Sequence, residues 1–207
     1  MAQYFVVHPE NPQVRLLQQA AAILRDGGVL AIPTDSCYAL ACHTGDKTAM
    51  DKLREIRGVD DRHHFTLMCR DLADVGQYAR VDNAAYRLLK SALPGSFTVI
   101  MEGTKDLPRR LLHPKRKTIG VRIPDHVIAL ELLAVLGEPL LTTTLILPGE
   151  EQALTDGWEI RDRLEHDVDL VLDGGYCGGL PTTIIDLTGA APELVRAGRG
   201  DPSRFGL

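Results

Sequence analysis

A short apolar strand that stops at a proline constrains the fold of this chain more than any other stretch. Residues 29–32 (Val-Leu-Ala-Ile) are apolar strand formers that follow the glycine pair at 27–28. Pro33 cannot donate to a sheet ladder, so the strand must end there. Four polar residues follow at once on non-helical backbone: Thr34, Asp35, Ser36 and Tyr38.

This polar turn has two interpretations. In open α/β sheets, ligands bind in the crevice beyond the strand ends, so these hydroxyls and the carboxylate are candidate ligand-binding groups. Alternatively, they form an Asx or Ser/Thr turn in which the side chains only satisfy their own backbone. A strand followed by a polar turn is common in α/β proteins, and the spacing alone leaves both interpretations open.

The rest of the chain alternates short helix and strand signals over residues 1–207, which predicts a single α/β domain. Apolar residues recur at helical spacing after Asn11-Pro12, and Asp46, Asp71, Asp82 and Asp125 are predicted helix N-caps. Strand signals lie at 65–69, 97–101, 119–123, 140–147, 169–172, 183–187 and 193–196. Because helices and strands do not alternate strictly, we expect a mixed sheet flanked by helices.

The composition is that of a globular protein. The chain has 207 residues, of which 44% are hydrophobic and 25% are charged, and its net charge is −5. No apolar run reaches the length of a membrane span and the N-terminal residues lack a secretory pattern, so we expect a cytoplasmic location. The four cysteines show no C-x-x-C pair, which predicts reduced, partly buried thiols and no protein-bound metal.

One basic window interrupts this acidic chain. Seven Lys or Arg residues lie between positions 105 and 122 against one acid: Lys105, Arg109, Arg110, Lys115, Arg116, Lys117 and Arg122. Such clustering indicates a local anion-binding surface for nucleotide phosphates or an RNA backbone. The alternative is a solvated basic loop that keeps the protein in solution.

Two arginines lie within predicted strands instead of loops. Arg122 stands between Val121 and Ile123, and Arg196 is in the last strand signal. An arginine that points from a strand into a crevice suits bidentate recognition of a phosphate or carboxylate. An arginine on an exposed sheet face would explain the same pattern.

Five sequence blocks resemble the YrdC/YciO family, whose best-known activity is threonylcarbamoyl-AMP synthesis. Residues 33–40 resemble the family's P-T-D-[ST]-x-Y-[GA]-L. The other four blocks follow in the family's order: P-G-x-x-T at 94–98, [TV]-[IV]-G-V-R-[IVL]-P at 118–124, D-G-G…P-S-T-[VI]-[VI]-D at 173–186 and [IV]-R-x-G at 195–198. Together they cover nearly the whole chain, and segments 38–40, 63–68 and 142–144 resemble the YciO branch.

The resemblance implies a twisted open sheet flanked by helices, with a concave, locally basic ligand-binding face. It also implies an enzyme that combines bicarbonate, L-threonine and ATP, with Mg²⁺ screening the triphosphate, and whose product serves adenosine modification in tRNA. The family is also described as binding double-stranded RNA through its basic concave face. A non-catalytic protein that binds double-stranded RNA or tRNA is therefore the alternative function.

The resemblance also suggests roles for particular residues. The amino-acid pocket would contain Thr34, Tyr38, Thr142 and Thr144, and the nucleotide site would contain Arg57, His63, Arg122, Thr182, Thr183 and Arg196. The groups closest to the reaction would be Thr34, Arg57 and Thr144. For the RNA alternative, the candidate residues are Arg109, Arg110, Lys115, Arg116 and Lys117.

The chain departs from the family pattern in two places. A K-x-R-x-x-x-K run of the family aligns with residues 57–63, where the second and third cations become Val59 and His63. A T-S-A-N segment aligns with residues 143–146, where the asparagine becomes Ile146. Each lost charged contact is expected to cost about 2–3 kcal/mol, or one to two powers of ten in rate. We therefore expect a weak or altered activity.

Nearby cations are candidates to compensate for these losses. Arg54 and Arg62 are close in sequence to the altered run, and the histidine pair at 63–64 would bind an anion when protonated. Such histidines also commonly hydrogen-bond nearby backbone instead.

Overall fold

In the described part of the chain, ten short strands form one mixed sheet, and six α-helices pack on its two faces. The computed structural model describes residues 1–60 and 63–207. The strands are β1 (Gln3–Val6), β2 (Leu30–Ile32), β3 (Ala39–His43), β4 (Thr66–Met68), β5 (Phe97–Glu102), β6 (Thr118–Arg122), β7 (Leu140–Thr144), β8 (Leu170–Asp173), β9 (Thr183–Asp186) and β10 (Glu193–Arg196). The helices are α1 (Val14–Arg25), α2 (Lys47–Arg57), α3 (Leu72–Tyr78), α4 (Asn83–Ala92), α5 (Val127–Leu136) and α6 (Gly157–Leu164).

The sheet is open and its strand order is β1-β8-β2-β3-β7-β4-β6-β5-β9-β10. Four neighbouring pairs are parallel, namely β1 with β8, β2 with β8, β4 with β6, and β5 with β9. The other five pairs are antiparallel. This topology confirms the predicted α/β class with a mixed, open sheet.

One face of the sheet is covered along most of its length. Helices α2, α3, α4 and α6 pack there through apolar side chains such as Leu53, Val75, Leu89 and Ile160. Alternate residues of β5 and β6 point into the same core, for example Val99 and Val121. Side chains alternate between the two faces of a strand, so the intervening residues of β5 and β6 must face the other way.

The opposite face is covered over only half of its width. Helices α1 and α5 bury Leu17, Leu24 and Leu132 against β2, β3 and β8. Over β4, β6, β5 and β9 the face-exposed positions are Thr66, Gly120, Thr98 and Ile184, and no helix among the described residues packs on them. Threonine is common at such positions because its branched side chain suits a strand while its hydroxyl tolerates water. The bare half of the sheet forms the wall of the candidate site.

Most of the local sequence signals are confirmed. Asp46, Asp71 and Asp82 each accept backbone N–H bonds at the start of α2, α3 and α4. Asp125 was predicted as the cap of α5, but that prediction is wrong: α5 begins at Val127, and His126 is its N-cap residue without a side-chain capping bond.

The strand predictions missed two elements and overextended a third. No signal marked β1 or β3, and β3 is rich in alanine (Ala-Leu-Ala-Cys-His), which has low strand propensity. The predicted strand at 140–147 ends at Thr144. Just beyond it, the Leu145 N–H donates to the Tyr38 carbonyl oxygen, and the Leu145 carbonyl oxygen accepts from the Leu154 N–H. The four cysteines are buried and unpaired, as predicted. The described part of the chain has no helix that is both long and apolar enough to cross a membrane.

Candidate functional site

A cleft of about 140 Å³ lies on the bare half of the sheet, beside the polar turn that follows β2. It is lined by residues of that turn, the end of α2, and strands β4 to β7 and β9 to β10. The polar side chains in its wall are Ser36, Cys37, Tyr38, Arg57, His63, His64, Thr66, Thr98, Arg122, Thr142, Thr143, Thr144, Thr182 and Arg196. Ala39, Ile146 and Ile184 supply the aliphatic part of the wall.

The charge of this wall is all of one sign. Arg57, Arg122 and Arg196 line the cleft, and none of the described lining residues is Asp or Glu. Guanidinium groups grouped in a recess with hydroxyls are suited to phosphate or carboxylate groups. The charge and the hydroxyls of the cleft wall therefore suit an anionic group.

A buried ion pair fixes the deepest of these arginines. The Arg122 Nη2 donates to Asp35 Oδ1 at 2.5 Å, and both side chains are more than 90% buried. Asp35 also accepts a hydrogen bond from the Ser96 hydroxyl at 2.6 Å. Asp35 thus joins the turn after β2 to the end of β6 and to the residue before β5. The turn is therefore attached to the middle of the sheet by this ion pair as well as by its chain connection to β2.

Asp35 does not use all of the hydrogen-bonding capacity of Arg122. The Arg122 Nε is buried and has no hydrogen-bond partner. An unused buried donor is costly, and such groups usually mark a place where a ligand or water binds. Because Arg122 lines the cleft, we infer that this donor is available to an anion there.

Arg57 reaches the cleft from the end of α2. Helix α2 ends at Gly58, which has a left-handed φ of 60° and so releases the chain at that point. The Arg57 Nη1 donates to the carbonyl oxygen of Ile146, and its Nε has no partner. Burial lowers the pKa of this guanidinium below its ordinary value. Part of Arg57 is therefore committed to the protein's own backbone.

His63 replaces a family cation but does not act as one at neutral pH. Its Nε2 is 3.0 Å from the Thr143 hydroxyl. Burial, followed by the charge of Arg57, lowers the pKa of His63 to about 4. Anion binding by a protonated His63, one of the two roles considered from the sequence, is therefore disfavoured near neutral pH. His63 instead offers a neutral imidazole to the cleft.

Threonine hydroxyls form the polar floor of the cleft. The Thr98 and Thr182 hydroxyls lie 2.8 Å apart and share a hydrogen bond. The Thr142 hydroxyl donates to the Thr66 carbonyl oxygen at 3.1 Å. Thr144, at the end of β7, also lines the cleft. Arg196 closes one side and donates from Nη2 to the Thr182 carbonyl oxygen at 2.9 Å.

Three predicted site residues use their hydroxyls elsewhere. The Thr34 hydroxyl donates to the Cys37 carbonyl at 2.7 Å and accepts from the Ser36 N–H, as in a Ser/Thr turn. The Tyr38 side chain is buried, and its hydroxyl donates to the Gly175 carbonyl at 2.9 Å. The Thr183 hydroxyl donates to the Gly200 carbonyl and accepts from the Gly198 N–H. Thr34 and Thr183 do not line the cleft, and the ligand-binding roles of all three stay predictions.

Of the candidate compensating cations, the structure describes Arg54, which does not reach the cleft wall. Arg54 pairs with Asp51 at 2.8 Å, packs over the ring of Phe65, and does not line the cleft. Arg62 lies outside the described residues. Val59 is not part of the cleft wall.

The Lys and Arg side chains of the basic window between β5 and β6 do not converge on one site. Arg110 donates to the carbonyl oxygens of Thr44 and Gly45, which ties this loop to the one after β3. Lys117 donates to the carbonyl oxygen of Pro114. Arg109 and Lys115 are exposed and do not line the cleft. Only Arg116 lines a neighbouring groove.

That groove continues from the cleft along β5 and β6. Its volume is about 260 Å³, and it shares His64, Thr66, Thr98 and Ile184 with the cleft. The rest of its wall is mainly apolar, with His113 and Arg116 at one end: Phe65, Ile100, Leu111, His113, Arg116, Thr118, Ile119 and Gly120. Gly120 keeps the floor open, because a Cβ there would lie 3.1 Å from the Thr98 methyl group.

Sequence reasoning did not select several residues of this site. Asp35 was noted in the polar turn but was not assigned a partner, and Ser96, Thr66 and Thr98 were not selected. Thr66 and Thr98 each alternate with core residues on their strands, and this period-two pattern was the available signal.

A cationic, threonine-lined cleft on one face of an open α/β sheet suits phosphate or carboxylate groups. Comparison with known sequences narrows the class of protein that carries this cleft. The model of the Sua5/YciO/YrdC family, described as "Telomere recombination", matches residues 22–198. The chain therefore belongs to the Sua5/YciO/YrdC family, as its sequence blocks predicted.

Relatives of two kinds are similar to this chain. YciO of Escherichia coli, described as uncharacterised, is 55% identical over 99% of this chain and 100% of its own length, and its crystal structure superposes with a TM-score of 0.95. The threonylcarbamoyl-AMP synthase of Mus musculus is 33% identical over 83% of this chain but only 62% of its own length. The structure of P. abyssi Sua5 complexed with L-threonine has a TM-score of 0.86, with 25% identity over 94% of this chain and 57% of that one.

The Arg122–Asp35 pair gives a testable energetic signature. Arg122→Met leaves the Asp35 carboxylate buried without its counter-charge, which should lower the free energy of unfolding by about 3–5 kcal/mol. The double variant Asp35→Asn/Arg122→Met removes both charges and should lose less than the sum of the two single variants. Urea denaturation of the four proteins measures this coupling. Strict additivity would contradict the account.

The neutral state of His63 predicts a pH dependence. Because the folded pKa of about 4 lies below the ordinary value of 6.5, the unfolded chain binds the extra proton between these values. His63 should therefore not destabilise the fold above pH 6.5 and should destabilise it as the pH falls from 6.5 towards 4. An NMR titration should place the His63 pKa near 4, and the part of acid destabilisation due to His63 should be absent in His63→Gln. A titration midpoint near 6.5 would show that this imidazole is solvated.

Proposed function

We propose that the cleft binds a nucleoside triphosphate and transfers its AMP group to a carbamate or carboxylate oxygen. The observation that carries this proposal is the wall of three arginines with no acidic side chain among its described residues. In this arrangement the triphosphate lies against Arg57, Arg122 and Arg196. The mainly apolar groove beside the cleft then takes the flat base of the nucleotide.

The co-substrates that we propose are L-threonine and bicarbonate. Support comes from relatives: the synthases 33% identical to this chain are named for threonylcarbamoyl-AMP, and P. abyssi Sua5 was solved with L-threonine. The threonine amine and bicarbonate form a carbamate with loss of water. A carbamate oxygen then attacks the α-phosphorus, the bond to the β-phosphate oxygen breaks, and pyrophosphate leaves. We further propose that the product serves adenosine modification in tRNA.

The residues of the cleft suit this chemistry through charge and position. A carbamate is already a nucleophilic anion, so the attack on phosphorus needs no general base at that step. His63, with a pKa near 4, would be a weak base. Guanidinium groups stabilise the negative charge that builds up on the leaving pyrophosphate. The cleft would therefore act by orientation and electrostatic stabilisation.

Magnesium does not fit as an ion held by the protein. Among the described residues, no group of three or more His, Cys, Asp or Glu side chains could hold a metal. The cleft wall offers hydroxyls and cations, whereas Mg²⁺ prefers carboxylates and phosphate oxygens. We propose that Mg²⁺ enters as part of the substrate, bound by the triphosphate and water.

The positions at which this chain departs from the family pattern should weaken the proposed reaction. The Ile146 side chain lines the cleft where the family pattern has an amide, and the Ile146 carbonyl binds one donor of Arg57. A neutral His63 stands where the pattern has a cation. Each loss removes a contact to an anionic group, so we expect rates one to two powers of ten lower per contact.

The alternative proposal is binding of double-stranded RNA or tRNA without catalysis. It is favoured by the exposure of Arg109, Lys115, Arg116 and Lys117 in one short loop beside the groove. Against it, Arg110 and Lys117 donate to backbone carbonyls. The two functions need different cations, so variants can separate them.

The adenylation proposal predicts threonine-dependent release of pyrophosphate. With ATP, Mg²⁺ and bicarbonate, addition of L-threonine should raise the rate of release. Arg196→Ala should lower kcat/KM by about 10- to 100-fold, because a charged contact to the phosphates is lost. Arg109→Ala is the matched control, since it removes an exposed arginine that does not line the cleft. Equal rates in the two variants, or no release under any amino acid, would contradict the proposal.

The RNA alternative makes a separate prediction. If the loop contacts the RNA backbone, affinity for a tRNA or a duplex RNA should fall steeply with salt. The double variant Arg109→Gln/Lys115→Gln should then reduce the slope of log K against log salt by roughly 2. Filter-binding titrations over a salt series measure this slope. If the double variant leaves the slope unchanged while Arg196→Ala abolishes nucleotide binding, the RNA alternative is contradicted.

A further inference from the structure

The groove beside the cleft ends at two histidines from different loops. His64 lies just before β4, and His113 lies in the loop before β6. Their ring centroids are 4.5 Å apart and the ring planes are tilted by 32°. Both side chains line the groove, whereas only His64 also lines the cleft. His113 therefore belongs, with Arg116, to the part of the groove that lies outside the arginine-lined cleft.

Backbone contacts fix the tautomer of His113. Its Nδ1 accepts hydrogen bonds from the backbone N–H groups of Lys115 at 3.2 Å and Arg116 at 3.1 Å. A nitrogen that accepts hydrogen bonds cannot carry a proton, so the proton of the neutral ring lies on Nε2. Nε2 then carries the N–H donor of the ring, on the side of the imidazole away from Nδ1.

The turn that holds His113 is closed by further hydrogen bonds. The His113 N–H donates to the Thr118 carbonyl at 2.8 Å, and the Lys117 N–H donates to the His113 carbonyl at 2.9 Å. Lys117 has a φ of 59°, a left-handed conformation that is uncommon outside glycine and costs free energy. The ring of His113 is therefore presented by a defined turn and not by an open loop.

His64 packs against the ring of His113, and its own protonation is disfavoured. Burial, followed by the charges of His113 and Arg116, lowers the pKa of His64 below its ordinary value. Near His113 the groove wall is formed by aliphatic side chains, namely Ile100, Leu111, Ile119 and Ile184. A mainly apolar slot that carries an imidazole N–H donor beside Arg116 suits a heteroaromatic ring with an acceptor nitrogen.

We propose that His113 determines base specificity, donating its Nε2–H to a ring nitrogen of a purine whose phosphates occupy the arginine cleft. This inference rests on the nucleotide binding proposed above. A purine has unprotonated ring nitrogens at its edge, which can accept this hydrogen bond, whereas an inorganic polyphosphate cannot reach it. In this proposal His113 hydrogen-bonds the base, and the arginines of the cleft bind the phosphates.

Two substitutions of His113 test separately the Nε2–H donor and the Nδ1 acceptor that closes the turn. Asn at position 113 places an amide oxygen near the position of Nδ1, so His113→Asn keeps the acceptor for the turn and removes the distal donor. His113→Gln places an amide N–H near the position of Nε2, so it keeps the donor and removes the acceptor for the turn. Thermal unfolding shows whether each variant keeps the fold.

Calorimetry with Mg-ATP and with magnesium triphosphate tests the proposal. For the unmodified chain we expect ATP to bind more tightly than inorganic triphosphate. His113→Asn should weaken ATP binding about three- to tenfold, as for one neutral hydrogen bond, and leave triphosphate binding unchanged. His113→Gln should keep more of the preference for ATP than His113→Asn does.

Deaza analogues identify the acceptor and exclude a merely structural role. An analogue of ATP that lacks the contacted nitrogen, at position 1, 3 or 7 of the purine ring, should lose the same factor against the unmodified chain and nothing further against His113→Asn. If ATP and triphosphate bind but His113→Asn changes neither, the inference about His113 is overturned and the phosphate site stands. If neither ligand binds the unmodified chain, the proposed function and this inference both fail.

Discussion

The ion pair between Arg122 and Asp35 is the contact on which the candidate site depends. A guanidinium buried on the bare half of a sheet is unfavourable unless a counter-charge accompanies it, and Asp35 supplies that charge from the turn after β2. The Ser96 hydroxyl donates to the same carboxylate and draws the start of β5 to the pair. The turn, the central strand β6 and β5 are thereby fixed relative to one another. Among the described residues, Asp35 engages one terminal nitrogen of Arg122, and the proposed anion would bind the rest of the guanidinium group.

The way in which helices cover the sheet explains where this site lies. Four helices cover one face, but α1 and α5 cover only half of the other. On the uncovered half, the positions that alternate with core residues carry threonine, glycine and arginine. The same alternation that builds the core therefore builds the cleft wall. The groove with His113 extends this wall, so one continuous surface offers cations at one end and an apolar slot at the other.

Much of the architecture could be predicted from the sequence because its signals are local. Aspartate caps marked the starts of α2, α3 and α4, and apolar runs marked most strands. Strand β3 lacked such a signal, since its alanines form a strand only through pairing with β2 and β7. The site was less predictable, because spacing does not give the direction of a side chain in a turn. Sequence placed Thr34 and Asp35 side by side, yet Thr34 bonds its own turn whereas Asp35 reaches β6. Nor did the sequence show that Ile146, read as a lost donor, would bind Arg57 through its backbone carbonyl.

The central claim is that the arginine cleft and the adjoining groove form one nucleotide site. A crystal structure of the protein with a non-hydrolysable ATP analogue and Mg²⁺ tests it most directly. The account predicts phosphate oxygens within hydrogen-bonding distance of Arg122 and Arg196, and the base in the groove between Gly120 and His113. A nucleotide bound elsewhere, or one bound in the reverse orientation, would contradict it.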